Sequence, residues 1–135
     1  MSGYWQWLEE KELLDESHMP VLLVLNMIRE EKFLETLEAV SQGTGFGAEF
    51  GACIMPDDLD EFDKANGEEF DGVEFGTHDG DEVVIDYSTF YYYLCIICNH
   101  YLRWNVDKTD IVKGYLLDYY NRFTLTESNN EIKNS

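Results

Sequence analysis

The two thiols of Cys95-Ile96-Ile97-Cys98 stand at the spacing used by redox pairs and by zinc knuckles. A redox pair places its reactive thiol at a helix N-terminus, where the backbone favours the thiolate. Here the flanking residues set the pair about two turns inside an apolar helix, so that activation is missing. A structural zinc wants four ligands, and only Cys53, His78, His100 and the distant His18 could complete a set. Haem attachment needs His directly after the second Cys, whereas the chain reads Cys98-Asn99-His100. The expectation is plain buried cysteines.

The acidic stretch Asp57-Asp58-Leu59-Asp60-Glu61-Phe62-Asp63 invites a calcium reading. It fails the EF-hand pattern, because Phe62 falls on an oxygen-ligand position and Asp63 where glycine is needed. Gly43-Thr44-Gly45-Phe46-Gly47 resembles part of a nucleotide fingerprint, but it follows a helix and has no lysine. His78, beside Asp79, reads as an exposed turn residue. No Ser-His-Asp set, H-E-x-x-H pair or phosphate loop is present, and carboxylates are too common to mark an acid–base pair. The chain is therefore expected to have no catalytic, cofactor-binding or metal-binding residues and not to be an enzyme. A small hydrolase is the rival class; it would require a pocket with a perturbed acid or base.

What remains is charge. The chain of 135 residues carries 28 Asp and Glu against 9 Lys and Arg, a net charge of −19. Twelve acids and one base, Lys64, lie between Asp57 and Glu82, so that segment alone is −11. Solubility asks for a net charge of only about 2–8 in magnitude in a small domain. Nucleic acid and anionic membranes are bound through Lys and Arg, so both are excluded as direct partners. A negative field instead steers a cationic partner.

Disorder is the other meaning of so acidic a chain, but 44% hydrophobic and 15% aromatic residues supply a core. The expected organisation is one globular domain over 1–125 and a flexible polar tail over 126–135. The first residues lack a signal peptide's basic and apolar regions. The run from Pro20 to Leu25 is far short of the ~20 residues that span a bilayer. Three cysteines, an odd number in a chain that needs no staples, fit the reducing cytoplasm.

The elements that must position these groups follow from periodicity and punctuation. Residues 4–15 are weakly helical, and the run 21–25 fits strand or helix alike. Glu30 to Ser41 reads as a helix stopped at Gly43, burying Phe33, Leu34, Leu37 and Val40. A short strand at Ala52–Met55 ends at Pro56, and Leu59 and Phe62 anchor a turn or two. Runs 72–75 and 83–85 flank Asp79-Gly80-Asp81, a hairpin signal. Asp86 or Ser88 caps a helix over 89–104 that is apolar nearly all round, with Phe90, Leu94, Ile97, Tyr101 and Trp104 on one face. A last helix, about 107–122, buries Ile111, Tyr115, Leu116 and Tyr119. The fold class is α+β: a small, mainly antiparallel sheet packed by helices, with a buried central helix near 89–104.

Gly67-Glu68-Glu69-Phe70-Asp71-Gly72-Val73-Glu74-Phe75 leads through an acidic turn to Val83-Val84-Ile85-Asp86-Tyr87. Phe90-x-x-Tyr93-Leu94-x-x-x-Cys98-x-x-Tyr101-Leu102 follows. This pattern, with the glycines at 43–47 and the strand ending at Pro56, resembles the immunity proteins of bacterial contact-dependent growth-inhibition ribonuclease toxins. The likeness covers roughly residues 30–122 and leaves the first 20 residues and the tail outside. It implies a cytoplasmic antitoxin that binds the toxin's C-terminal nuclease domain and blocks its active site. No catalytic residue, cofactor or individual contact carries over.

A ribonuclease site is cationic, and carboxylates can take the places of phosphates there. The expected toxin-binding residues are Asp57, Asp58, Asp60, Glu61, Asp79, Asp81 and Glu82, on a monomer forming a one-to-one complex. Trp5, Trp7 and Tyr92 are the aromatics least committed to the core. A DNA-mimic inhibitor of a DNA-binding protein is the alternative, with carboxylates spaced like duplex phosphates along one face.

Overall fold

The computed structural model describes residues 7–56 and 72–124. Four strands, β1 (Phe46–Ala48), β2 (Gly51–Ile54), β3 (Val73–Thr77) and β4 (Glu82–Ile85), form one antiparallel sheet in the order β1-β2-β3-β4. The described helices are α1 (Met19–Leu25), α2 (Phe33–Ser41), α3 (Tyr87–Trp104) and α4 (Thr109–Tyr119). The class is α+β, as the order of elements implies. The expected turns around Leu59 and Phe62 and the tail 126–135 lie outside the described residues.

Strand register fixes which side chains enter the core. Cys53 pairs with Phe75, Phe75 with Val83, and Val73 with Ile85. Because side chains alternate along a strand, these residues share one face. Cys53, Val73, Phe75 and Ile85 are buried there. Helix α1 lies against β3 and β2. The run that fitted strand or helix is helical, with Pro20 in its first turn and Val21, Val24 and Leu25 buried at helical spacing.

The N-terminal segment departs from expectation. Among its described residues only 3₁₀ turns form, at Glu10–Glu12 and Glu16–His18. Before them, Asn26 holds the backbone of Leu8: its Oδ1 accepts the Leu8 N–H and its Nδ2 donates to the Leu8 carbonyl, both at 2.9 Å. Trp7, expected to be least committed to the core, is 1% exposed. Its indole N–H donates to the Ile28 carbonyl at 2.7 Å, and its ring centroid lies 4.9 Å from that of Phe33. Trp5 lies outside the described residues.

Helix α2 follows a 3₁₀ turn at Glu30–Lys32 and buries Phe33, Leu37 and Val40. Its end is closed as Gly43 N–H donates to Val40 and Thr44 N–H to Ala39. Asp86 caps α3, accepting the Thr89 N–H at 2.7 Å. Phe90, Tyr93, Leu94, Ile97, Cys98 and Tyr101 form its buried face, and Phe90 meets Phe75 of the sheet edge-on at 5.3 Å.

Two helical expectations need correcting. Trp104, placed on the buried face of α3, is 70% exposed: it is the last residue of the helix, one turn beyond the buried Tyr101. In α4 the buried stripe runs through Val112 and Tyr119, with Tyr115 and Leu116 half-buried and Ile111 exposed. A phase error of one residue, about 100°, is enough to exchange Ile111 for Val112.

Candidate functional site

Asp79, Asp81 and Glu82 come together on the β3–β4 hairpin, and all three are exposed. Asp57, Asp58, Asp60 and Glu61 lie outside the described residues. The hairpin turn is wider than a two-residue loop. Gly80 N–H donates to the Thr77 carbonyl at 3.0 Å, and Thr77 N–H donates to Asp81 at 2.9 Å. Gly80 has φ of 96°, the left-handed conformation that closes a three-residue loop and that a side chain resists. Glycine after Asp79 is therefore what permits this turn.

The tip is tied to its neighbour. His78 N–H donates to the Phe50 carbonyl at 2.8 Å, bringing the β1–β2 turn beside the β3–β4 turn. Phe50 stands 56% exposed next to the acids, with its own N–H donating to the Met27 sulfur at 3.4 Å. Reading the sequence missed Phe50, since nothing in the glycine-rich stretch says which aromatic leaves the core. Tyr92 is also exposed, and its hydroxyl donates to the Glu12 carbonyl at 3.2 Å.

The sheet's other face continues from the tip. Glu74 pairs with Val84 and Gly76 with Glu82, so Glu74, Gly76, Glu82 and Val84 all point away from the core. Burial, reinforced by the Glu82 carboxylate, raises the Glu74 pKa above its ordinary value. The ion pairs among the described residues are Lys11–Glu9, Arg29–Glu31, Lys32–Glu35 and Lys108–Asp107. None of them engages Glu74, Asp79, Asp81 or Glu82, and no Lys or Arg occurs from 72 to 102.

The thiols offer no comparable site. Cys95 and Cys98 lie mid-helix in α3, and burial raises both thiol pKa values, that of Cys98 strongly. Among the described residues no three His, Cys, Asp or Glu side chains converge to hold a metal. No described helix is long and apolar enough to cross a membrane. Two open grooves have other linings: one of about 480 Å³ against Tyr91, Leu117 and Tyr120, and one of about 420 Å³ against Met27, Arg29 and Phe46. Neither lining contains a histidine or cysteine.

What this geometry offers is a carboxylate surface beside an exposed aromatic, on a small α+β fold. A family profile described as CDI immunity protein matches residues 10–116, and the chain belongs to that family. Its role is that of an immunity protein directed at a cognate CDI toxin. The match takes in all four described strands and begins at residue 10, so residues 10–29 are included in the likeness. No curated protein matches the chain.

Proposed function

We propose that this immunity protein neutralises a ribonuclease toxin by setting its acidic surface against the nuclease's cationic active site. The observation that carries the reading is the group of exposed Asp79, Asp81 and Glu82 carboxylates on the hairpin of a −19 chain, none of them in an ion pair with a described residue. Asp57, Asp58, Asp60 and Glu61, outside the described residues, are proposed as further toxin contacts. An enzyme that holds RNA must attract phosphates, and carboxylates at those positions both bind and exclude substrate. Close charge pairs at a nuclease–inhibitor interface couple by about 1.5–7 kcal/mol. Phe50 supplies an apolar contact of the kind that anchors interfaces.

In this reading the protein acts in the cytoplasm as a monomer, binds one toxin C-terminal domain, and performs no chemistry. Charge reversal at Asp79, Asp81 and Glu82 together tests the face. The triple lysine variant should keep its circular dichroism spectrum and lose most of its affinity for the cognate toxin's C-terminal domain. Unchanged affinity in a folded variant would remove the hairpin from the interface.

A further inference from the structure

Behind the hairpin tip, the outward face of the sheet combines three properties. Its apolar side chains, Ala52, Ile54 and Val84, are not part of the core cluster, and Val84 is 47% exposed. Gly76 lies between Ala52 and Glu82 in the pairing, and a Cβ there would meet nothing closer than 3.7 Å. The third property is the unrelieved pair of carboxylates. Glu74 is half-buried and Glu82 stands diagonally across the strand pair, with no ion pair to a described cation. Diagonal neighbours of this kind are about 7–8 Å apart at their backbones, within reach of long side chains.

Like charges within such reach repel one another, most of all where one of them is partly withdrawn from water. A local arrangement that costs stability and gains nothing within the fold points to a use outside it. We infer that the outward face of β2–β3–β4 is a docking surface for a basic segment of the toxin, with one Arg or Lys held between Glu74 and Glu82. The inference rests on the immunity reading and deepens it, moving the binding centre from the hairpin tip onto the sheet. Charge complementarity selects the occupant, since a guanidinium or ammonium supplies the missing counter-charge. The lack of a side chain on Gly76 lets its stem approach the backbone, while Val84 and Ile54 offer apolar contact for that stem.

The test separates binding from stability, which here should move in opposite directions. Glu74→Gln and Glu82→Gln are measured singly and together, by thermal unfolding and by calorimetric titration with the cognate toxin's C-terminal domain. Each substitution removes the repulsion, so Tm should rise or hold. Affinity should fall about tenfold or more for each. Unchanged affinity of the double variant, with tight binding by the wild type, would overturn this inference and leave the immunity reading standing. A wild-type protein that does not bind the domain would overturn both. Loss of affinity with a matching loss of Tm would assign Glu74 a structural role, and a wild-type dimer broken by the variants would give the face to a second copy; either contradicts the inference.

Discussion

Glu74 carries an unusual burden for a strand residue, because its carboxyl is partly desolvated and faces another carboxylate. The direction of its pH effect follows from linkage. A folded pKa above the ordinary 4.5 means that ionisation is harder in the folded state than in the unfolded one. The penalty is absent below the unfolded pKa and complete above the raised folded value. The gain in stability of Glu74→Gln over wild type should therefore be small at low pH, grow as pH rises through that window, and then level off. Denaturant midpoints at a series of pH values would read it, and a gain that shrinks with rising pH would contradict it.

At this scale the sequence was readable where neighbours along the chain decide the outcome, as with the capping by Asp86 and the mid-helix thiols. It was unreadable where distant partners decide. Trp7 is buried by Phe33 and the Ile28 carbonyl, and Glu74 acquires its environment from β4.

Elements show the same division. The hairpin was legible because Asp-Gly between β-prone runs is a local signal, and α2 because both its period and its stop are local. Helix α1 was not, since a short apolar run has no period and only packing against β3 selects its form. The buried stripe of α4 was displaced by one residue, because apolar residues at 111, 112, 115 and 116 fit two neighbouring faces. Gly72, just before β3, has φ of 133°, and a Cβ on it would run into the Ile85 carbonyl oxygen. Gly72→Ala should destabilise the fold by about 1–3 kcal/mol through strain alone, with more if the β3–β4 ladder shifts. Chemical denaturation measures this, and a neutral effect would mean that the strand start can move freely.

For the molecule as a whole, charge is both liability and instrument. A net −19 opposes compaction, and ions screen that repulsion. Thermal stability should rise as sodium chloride increases from about 10 mM to about 0.5 M, a range over which the Debye length falls from roughly 30 Å to a few ångströms. Association with a cationic toxin should slow over the same range. A Tm that is flat or falling with salt would show that the acids are paired or dispersed enough not to matter. Sequence composition made the chain's own charge readable, while the way the strands lay Glu74 near Glu82 and Phe50 beside the hairpin tip needed the fold.

The most direct test is a titration of RNA cleavage by the cognate toxin domain, proposed above to be a ribonuclease, with this protein added in steps from zero to excess. The account predicts a linear fall in cleavage that reaches zero at one equivalent. Cleavage that persists at full rate in excess immunity protein, with the toxin domain folded and active, would contradict it.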